Sequence, residues 1–400
     1  MSSITSRQSH LTENISLHPL ALLDRLLRDL ELSPTQLADA RQSYEAVTQV
    51  LAKAGMPVAG YLPFMFAQGS MRIGTTVKPI DRDEHDLDVV CLLQKGGIWL
   101  PTNEVYELVW DTLGCDGTYK SMRERKNRCI RLKYARKFYL DIIPAVPHHS
   151  APDGTLFVCD CEGRTWSISH PIGFADWYEE RAKAQPLIVT KFAALEKSEM
   201  TANASRIEPL PEHGFEKTPL QRITQLFKRN RDEFFQDDPK IRPTSILLTT
   251  LAARSYFQQT SIEAPDLLEF VIRVADGLSS YIEIRHTSLG SPVYRIANPV
   301  NDHENFADKW TRADYEAFAR WQGQLVRQLR EVEATKGQGI DTMLNRLGEG
   351  FGRERVIKAA YELGVDTSRV HQAGRLRVTG ATGVIGLTGS AMSATVYHGR

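Results

Sequence analysis

Two aspartates that are two residues apart open an apolar, strand-like run in this chain. Asp86 and Asp88 begin the segment from Asp86 to Leu93, whose later residues are Val, Val, Cys, Leu and Leu. In a β-strand, residues i and i+2 project from the same face, so both carboxylates are expected to point the same way. Two carboxylates this close repel each other, and a divalent cation between them removes that cost. The pair predicts a metal site, although the acidic residues nearby make a solvated acidic turn the alternative.

A third aspartate interrupts a second apolar run. Asp141 lies in the segment from Phe138 to Val146, which is expected to form an interior strand. Buried charges are usually paired or bound to metal, although a single strand aspartate can also cap a neighbouring group. Three carboxylates can hold two divalent ions roughly 3.5–4 Å apart, one activating an attacking hydroxyl and one stabilising a leaving pyrophosphate. We therefore predict that Asp86, Asp88 and Asp141 are metal ligands and catalytic residues for phosphoryl transfer.

A turn of small residues precedes these strands. In the segment from Gln68 to Thr75, Gly69 allows a close approach of the backbone, and the Ser70 hydroxyl can bind phosphate oxygens together with backbone N–H groups. A Gly-Ser pair alone is common in proteins. Here the Asp-x-Asp pair begins 16 residues after Ser70, and Asp141 follows the pair by 53 residues. This combination is far more specific than any of its parts.

The elements that must position these residues divide the chain into two lobes. Amphipathic helices are expected near the N-terminus, before a region of short β-rich runs. The second half of the chain shows mainly helical patterns. The predicted elements are strands at Asp86 to Leu93, Arg128 to Tyr134 and Phe138 to Val146, and helices at Glu104 to Leu113, Ala175 to Ala184, Leu220 to Phe235, Pro243 to Phe257, Ala264 to Ser279 and Arg312 to Ala334.

These elements predict an α+β fold with a mixed sheet and helices in residues 1–205 and a helical domain in residues 206–373. The His170-Pro171-Ile172-Gly173 stretch is expected to form a turn before the helix at Ala175. Residues 374–400 are rich in Gly, Thr, Ser and Ala and are predicted to form a flexible tail.

Charge and composition exclude several classes of protein. Basic and acidic residues number 49 each, so the chain lacks the net positive field of a protein that binds long nucleic acids. A small anionic substrate such as a nucleoside triphosphate fits better. The N-terminal residues contain no signal-peptide core, and no 18 apolar residues run together, so a cytoplasmic protein without membrane attachment is expected. The five cysteines include no CxxC pair of the kind that binds zinc.

The combination of Gly-Ser turn and strand aspartates resembles the DNA polymerase β-like nucleotidyltransferase superfamily. Its signature is a Gly-Ser turn followed by a strand with the pattern hydrophobic-Asp-hydrophobic-Asp-hydrophobic; here the spacer is somewhat longer, and His85 takes the first hydrophobic position. Within that superfamily the chain is similar to the bacterial cyclic-oligonucleotide synthases of antiphage signalling (CD-NTases), which are relatives of animal cyclic GMP-AMP synthase and the oligoadenylate synthases. The stretches that carry this similarity, besides the three aspartates, are Gln68 to Ser70, Leu140 to Ala145, Leu226 to Arg229, Pro243 to Leu248 and Asn298 to Phe306.

The resemblance implies a polymerase β-like lobe packed on a C-terminal helical lobe, with the active-site cleft between them. Asp86 and Asp88 would bind two Mg²⁺ ions, with Mn²⁺ able to substitute, and Asp141 would complete the site of the catalytic ion. Gly69 and Ser70 would hold the donor triphosphate.

From the helical lobe, Lys228 and Ser245 would contact nucleotide phosphates across the cleft. The residues alone leave other interpretations open. Lys228 lies among further arginines, as on a solvated helix face, and Ser245 follows a proline, as at the start of a helix.

Four further residues are weaker candidates for nucleotide binding. Gln68 precedes the Gly-Ser turn, and Arg131 alternates with apolar neighbours, so that it faces the cleft or is an ordinary exposed strand arginine. Asn305 and Asp308 follow an Asn-Pro turn and could position a nucleotide, but Asn305 could equally satisfy backbone groups of its loop.

The reaction implied by the resemblance joins ATP and GTP, or other ribonucleoside triphosphates, into a cyclic di- or trinucleotide. A purine product like cyclic GMP-AMP is expected, to be read by a downstream effector, with no need for long nucleic acid. The first transfer would make a linear dinucleotide with a 5′-triphosphate, which turns over to become the donor for ring closure.

The C-terminal end suggests a regulatory partner. Some synthases of this group end in a flexible peptide whose terminal Gly or Ala is joined to a target by a ubiquitin-transfer-like partner. The ending Thr395 to Arg400 approximates such a peptide, but Arg400 leaves Gly399 penultimate, so that conjugation would require trimming. A tail without function is the alternative.

Two rival functions share the same residues. Related transferases extend RNA ends or modify a protein or an antibiotic with the same metal site, although the long helical lobe and the neutral charge favour the cyclic product. A catalytically silent nucleotide sensor would keep the fold, but all three acidic positions are present, which favours an active enzyme.

Overall fold

A computed structural model of the chain shows its architecture. It describes residues 19–80, 84–134, 138–150, 154–188, 217–335, 338 and 340–372, together with 377–378, 385–386 and 390–391. The contacts between residues divide the chain into two compact units. One unit is Leu30–Gly323, and the other comprises the described residues up to Asp29 together with those from Gln324 onward.

The larger unit is built on a seven-stranded mixed sheet. Five strands lie in the order β1-β2-β5-β4-β3, β6 pairs with β5, and β7 pairs with β6. Only β2 and β5 are parallel among the pairs of this sheet; the other pairs are antiparallel. The strands are β1 (Pro63–Ala67), β2 (His85–Leu93), β3 (Arg123–Arg125), β4 (Ile130–Tyr134), β5 (Phe138–Pro147), β6 (Leu156–Asp160) and β7 (Thr165–Ser169).

The helices of this unit follow from capping signals and amphipathic periodicity. Ser33 and Gln36 form a capping box at α2, and Thr218 and Gln221 form another at α7, each with a proline at the first helical position. The helices are α2 (Pro34–Ala52), α3 (Gly69–Arg72), α4 (Thr102–Cys115), α5 (Gly117–Met122), α6 (Pro171–Ala182), α7 (Pro219–Phe234), α8 (Ser245–Gln259) and α9 (Leu267–Asp276), with 3₁₀ turns at Ala59–Tyr61, Gly97–Trp99, Pro239–Ile241 and Leu278–Tyr281.

Two antiparallel hairpins lie after α9. They are β8 (Glu283–His286) with β9 (Pro292–Arg295), and β10 (Ala297–Asn298) with β11 (Asn301–Asn305). The sequence pattern predicted only a mainly helical second half, and these short strands are an addition to it. Strands of two to five residues carry too little alternation to stand out from loop sequence.

Up to residue 372, the described part of the smaller unit is helical. It contains α1 (Pro19–Arg28), the end of α10 (Arg312–Ala334), α11 (Ile340–Phe351) and α12 (Arg353–Gln372). The Arg25 guanidinium of α1 pairs with Glu362 of α12 at 2.7 Å, which joins the two ends of the chain. In the part of the chain that the structure describes, no helix is both long enough and apolar enough to cross a membrane.

Most predicted elements are confirmed with small shifts at their ends, and Arg312–Ala334 is a helix over the predicted span. The prediction of a turn at His170 to Gly173 is wrong, because α6 already begins at Pro171. Proline is favoured at the first helical position, where its missing N–H has no partner to lose.

The predicted domain boundary at residue 205 lies outside the described residues, and the division at 205 and 373 stays a prediction. Of the predicted tail, the structure describes three two-residue strands, β12 (Arg377–Val378), β13 (Ile385–Gly386) and β14 (Ser390–Ala391), in which β12 pairs with both of the others. The remaining residues of the segment 374–400 lie outside the described ranges.

The position of β5 between β2 and β4 predicts a large effect of truncating its buried side chains. Ile142 is fully buried, and Ile142→Ala is expected to lower the free energy of unfolding by about 2–5 kcal/mol through lost burial and a residual cavity. Ile284→Ala on strand β8, where the side chain is 43% exposed, is the matched control and should change it by less than about 0.5 kcal/mol. Urea unfolding followed by circular dichroism measures both; equal losses would contradict the central position of β5.

Candidate active site

Alternation along the central strands places three aspartates on one face of the sheet. Leu87 and Val89 of β2, and Leu140 and Ile142 of β5, are buried in a core that also contains residues of α2 and α4. Side chains of a strand alternate between faces, so Asp86, Asp88 and Asp141 project to the opposite face. The predicted common orientation of the two β2 carboxylates is confirmed.

The strand register brings the aspartates together. Asp88 of β2 lies opposite Asp141 of the parallel neighbour β5, and Asp86 lies opposite Tyr139. Neighbouring strands are about 4.8 Å apart, so these acidic groups are close neighbours. His85, which departs from the hydrophobic pattern, is only 1% exposed and lies on the buried face of β2, where the hydrophobic residue is expected.

The environment of Asp88 disfavours its ionised form. Burial is the main cause, followed by the negative charges of Asp141 and Asp86, and together they raise the pKa of Asp88 to about 7. The positive charges of Arg131 and Lys228 oppose this shift. Any further cation bound at this face would stabilise the carboxylates in their charged state.

Arg131 already supplies a cation to this cluster. It lies on β4 opposite Asp141, and its guanidinium donates two hydrogen bonds, of 2.8 and 2.7 Å, to the two oxygens of that carboxylate. The same group lies 3.2 Å from Asp86 and 4.8 Å above the ring of Tyr139. The prediction that Arg131 faces the cleft is confirmed, and its pairing with Asp141 is a finding that the sequence pattern did not show.

The carboxylates at this face suit divalent metal ions, provided that the Arg131 guanidinium moves away from them. Carboxylate oxygens are the ligands that Mg²⁺ and Mn²⁺ prefer. Within the described residues, however, no three His, Cys, Asp or Glu side chains are placed so that they could hold an ion as they stand. The Arg131 guanidinium lies against two of the three carboxylates, so an ion at Asp141 must displace it. The metal-ligand roles of Asp86, Asp88 and Asp141 stay predictions.

Residues 69–76, here called the Ser70 turn, pass close to the aspartates. The Gln68 N–H donates to the carbonyl of Asp88 at 2.9 Å, and Gly69 then opens the single turn α3 with a φ of +60°. A Cβ atom at Gly69 would lie 3.0 Å from Oδ2 of Asp88. Glycine is therefore required here both by the left-handed backbone and by the close approach of the carboxylate.

The described contacts of the Ser70 turn agree only in part with the predicted roles. Ser70 and Gly69 line a cavity with the three aspartates, and the hydroxyl of Thr76 donates to that of Ser70 at 3.5 Å. Gln68 is not among the residues that line this cavity; its observed role is the backbone hydrogen bond to β2. Binding of a nucleotide by these residues stays a prediction.

Side chains on and just before α7 hold the Ser70 turn in place. Each donates a hydrogen bond to a backbone carbonyl of the turn or of the residues that follow it. The pairs are Gln221 with Ile73 (3.0 Å), Lys217 with Gly74 (2.7 Å), Lys228 with Thr75 (3.2 Å), Gln225 with Thr76 (2.9 Å) and Arg229 with Lys78 (2.6 Å).

Lys228 is buried rather than solvated. Its side chain is almost inaccessible, and Nζ donates to both the carbonyl and the hydroxyl of Thr75, at 3.2 and 2.9 Å. Burial first, and then the charge of Arg231, lower the pKa of Lys228 to about 7. The alternative of a solvated helix cation is therefore wrong, and Lys228 lies in the cavity lining as the nucleotide-binding prediction requires.

Ser245 fits both interpretations of its position. It is the first residue of α8, and it also lines the cavity. Arg231 donates to the Ser245 hydroxyl at 3.2 Å and to the Pro243 carbonyl at 3.0 Å, and pairs with Asp232 at 2.7 Å. Arg231 therefore positions Ser245 at the edge of the cavity.

Asn305 and Asp308 lie elsewhere. The Asn305 amide donates to the carbonyl of Tyr294, and its oxygen accepts hydrogen bonds from the N–H groups of Ile296 and Ala307. This is the alternative in which Asn305 satisfies backbone groups of its loop. Asp308 is exposed, and neither residue is among those that line the cavity.

One large cavity brings together the predicted site residues other than Gln68, Asn305 and Asp308. Its volume is about 660 Å³, which is ample for a nucleotide. Sequence reasoning missed several of its charged residues, although Arg231 lies three residues after Lys228 and therefore on the same helix face. The lining residues that matter here are Gly69, Ser70, Thr75, Thr76, Asp86, Asp88, Arg131, Asp141, Lys228, Arg231, Asp232, Arg242 and Ser245.

Comparison with known proteins gives a consistent result. The model of the Second Messenger Oligonucleotide or Dinucleotide Synthetase domain matches residues 20–182. A c-di-GMP synthase from Roseivirga ehrenbergii is 31% identical over 343 residues, which cover 84% of this chain and 85% of that protein. The cyclic dinucleotide synthase CdnG from Bradyrhizobium diazoefficiens is 26% identical over 311 residues, covering 72% of this chain and 70% of CdnG.

The fold is also found among solved structures. The structure of the Bradyrhizobium diazoefficiens CD-NTase CdnG in complex with GTP matches with a TM-score of 0.63 and 22% identity, covering 86% of this chain and 98% of that one. At this level of identity the match concerns the fold alone. It confirms the predicted α+β fold class.

The close contact between Gly69 and Asp88 predicts a cost for any side chain at Gly69. Gly69→Ala is expected to lower the free energy of unfolding by about 1–2 kcal/mol through the left-handed backbone alone, with the contact to Asp88 adding to it. Gly60→Ala is the control, because no heavy atom lies within 4 Å of a Cβ at that glycine. Urea unfolding of both variants makes the comparison, and a Gly69→Ala protein as stable as wild type would rule out this geometry.

Proposed function

The chain belongs to the second messenger oligonucleotide or dinucleotide synthetases, the bacterial CD-NTases, and we propose that it joins two ribonucleoside triphosphates into a cyclic dinucleotide. The observation that carries this proposal is that one cavity is lined by three strand carboxylates together with Ser70, Lys228 and Ser245. Negative groups that can hold cations lie on one side, and groups that can bind phosphates lie around them. This is the arrangement that phosphoryl transfer between two nucleotides requires.

We propose that the product is a purine dinucleotide with at least one guanine. The relative that is 31% identical is a c-di-GMP synthase, and the structurally similar CdnG was solved with GTP. Cyclic di-GMP and cyclic GMP-AMP both meet this description. The two products are distinguished by their substrates, because cyclic di-GMP forms from GTP alone and cyclic GMP-AMP requires ATP as well.

In this proposal Asp86, Asp88 and Asp141 hold two divalent ions, Mg²⁺ or Mn²⁺. When bound, such ions neutralise the charge that develops on the reacting phosphate and its leaving group. The chain contributes the buried position of Asp88 and its acidic neighbours, which make a cation at this face favourable.

The cations of the cavity bind the triphosphate groups. Burial, followed by the charge of Arg231, lowers the pKa of Lys228 to about 7, and a neighbouring phosphate would favour its charged form. Arg231 holds the Ser245 hydroxyl at the start of α8, from where that hydroxyl can donate to a phosphate oxygen. Ser70 and the N–H groups of its turn approach from the sheet.

The reaction then needs two similar steps. A ribose hydroxyl of one nucleotide attacks the α-phosphorus of the other, a P–O bond forms, and the bond to pyrophosphate breaks. The attacking hydroxyl loses its proton to water, and in this proposal the Asp141 carboxylate favours that loss. In the second step the linear product presents its own 5′-triphosphate as donor, and its other ribose hydroxyl closes the ring with the loss of a second pyrophosphate.

The biological setting is proposed from the family only. We propose a role in antiphage defence, with a downstream effector that binds the product. We also propose a ubiquitin-transfer-like partner at the C-terminal end. The ending from Thr395 to Arg400 lies outside the described residues.

Product analysis tests the function directly. Purified protein incubated with GTP, or with GTP and ATP, in the presence of Mg²⁺ or Mn²⁺ should yield a phosphatase-resistant product with the mass of a cyclic dinucleotide. Resistance is expected because a ring has no terminal phosphate. Asp88→Asn should lower the rate by at least about a hundredfold, because it removes the charge of a proposed metal ligand at nearly constant volume.

The control is Asp111→Asn, the same change at an exposed position of α4, which should leave the rate within about twofold of wild type. If the only products are linear or protein-linked nucleotides, the proposed cyclic product is wrong. The protein would then be a transferase that extends RNA ends or modifies other substrates. Tight nucleotide binding without any product would support a silent sensor.

Arg131 provides a test of the metal site that does not depend on turnover. Because its guanidinium donates to both oxygens of Asp141, Arg131→Met should remove a competing cation and tighten Mn²⁺ binding several-fold in the absence of nucleotide. Electron paramagnetic resonance of free Mn²⁺ measures this affinity. Arg128→Met is the control, since Arg128 is half-exposed and pairs with Asp160 instead. Unchanged or weaker binding in Arg131→Met would refute competition at Asp141.

A further inference from the structure

A second cavity lies at the other ends of two helices that also line the active-site cavity. Its volume is about 290 Å³, and it is lined by Arg181, Arg254, Phe257, Gln258 and Tyr281. Arg181 is near the end of α6, and Arg254, Phe257 and Gln258 share one face of α8 through their spacing of three and four residues. We call these five residues the α6–α8 pocket.

The guanidinium of Arg181 is fixed in this pocket. It lies over the rings of Trp177 and Phe257, at 4.3 and 5.2 Å from their centroids, and it donates to the carbonyl of Trp177 at 3.1 Å. Contact with two aromatic rings favours the charged group without neutralising it. The nearest carboxylate is that of Glu180, 3.8 Å away and largely exposed.

The second guanidinium, that of Arg254, is partly buried without an ion pair. It donates to the carbonyl of Ala297 at 2.8 Å, and within the described residues no carboxylate lies at salt-bridge distance from it. Burial, followed by the positive charge of Arg181, lowers the pKa of Arg254, and the more distant negative charge of Glu283 only partly opposes this shift. Two desolvated cations that repel each other are costly in a folded protein, and an anion between them removes that cost.

The composition of the pocket indicates which anion would fit. Arginine binds phosphate groups through paired N–H donors, and each of these guanidinium groups uses one hydrogen bond within the described residues. The ring of Phe257 is 47% exposed beside them and can stack on a planar base. The volume lies at the lower end of the range for small-ligand sites, which suits one nucleotide rather than two.

We propose that the α6–α8 pocket is a binding site for a mononucleotide, separate from the active-site cavity, with the phosphate between Arg181 and Arg254 and the base against Phe257. Neither the family membership nor the proposed reaction requires such a site.

The same two helices connect this site to the catalytic cavity. Phe174 of α6 and Ser245 of α8 line the active-site cavity, whereas Arg181 and Arg254 lie further along each helix. Nine residues of helix separate Ser245 from Arg254, a distance of about 13 Å at 1.5 Å per residue. The Tyr256 hydroxyl of α8 donates to the Ala184 carbonyl just after α6, at 2.6 Å. A nucleotide bound to both helices would therefore alter how α8 presents Ser245, and the rate of synthesis would change several-fold.

Calorimetric titration of the full chain tests the site without turnover. AMP, GMP, adenosine and inorganic phosphate are titrated into wild type, Arg254→Met, Arg181→Met and Phe257→Ala. We expect AMP or GMP to bind at least about tenfold more weakly to both arginine variants and about threefold more weakly to Phe257→Ala. Arg320→Met, at an exposed arginine of α10, is the matched control and should bind like wild type.

A cleft variant separates the two cavities. Lys228→Met should retain the binding that Arg254→Met loses, because Lys228 lies only in the active-site cavity. Binding that is lost in Lys228→Met and retained in Arg254→Met would overturn the proposal, as would phosphate or adenosine alone binding as tightly as AMP. Thermal unfolding shows whether each arginine variant is folded. If one is not, Phe257→Ala provides an independent test, because Phe257 is half-exposed and its truncation is expected to leave the fold intact.

The functional consequence is measured separately. Added AMP or GMP should change the initial rate of product formation in wild type and leave it unchanged in Arg254→Met. The titrations measure binding and need no catalysis. A result that overturns the nucleotide site therefore does not affect the proposed synthesis of a cyclic dinucleotide. Likewise, the finding of another product would not affect the nucleotide site.

Discussion

Repulsion among Asp86, Asp88 and Asp141 is the constraint on which the catalytic face of this protein depends. The parallel pairing of β2 with β5 places two of these carboxylates opposite each other, and burial raises the cost of ionising them together. A positive charge at this face lowers that cost. The Arg131 guanidinium supplies such a charge through its two hydrogen bonds to Asp141.

The second organising feature is the contact between α7 and the Ser70 turn. A helix from one half of the sequence donates side-chain hydrogen bonds to consecutive carbonyls of a turn in the other half. Because the N–H groups of Ile73, Gly74 and Thr75 also donate to carbonyls within the turn, the Ser70 hydroxyl is the side-chain group of the turn that we propose for phosphate binding. The contact between α7 and the turn also buries Lys228 beside the cavity, where a charged side chain is costly alone and favourable next to a phosphate.

The sequence by itself determined the fold class and the orientation of the aspartates. Alternation of apolar and acidic residues in β2 and β5 is a local pattern, and a strand projects alternate residues to opposite faces whatever surrounds it. For the same reason Arg131, between two buried residues of β4, was predicted to lie on the other face of its strand from them, either at the cleft or exposed to solvent. The Gly-Ser turn and the three strand aspartates carried the resemblance to the nucleotidyltransferases.

Only the tertiary structure decided what each of these side chains contacts. The pairing of Arg131 with Asp141, the burial of Lys228 and the use of Asn305 by its own loop all depend on strand register and on helix packing. The α6–α8 pocket likewise joins residues that lie about 70 positions apart, such as Arg181 and Arg254. Contacts between distant residues leave no periodicity in the sequence, because each partner satisfies its local pattern equally well without the other.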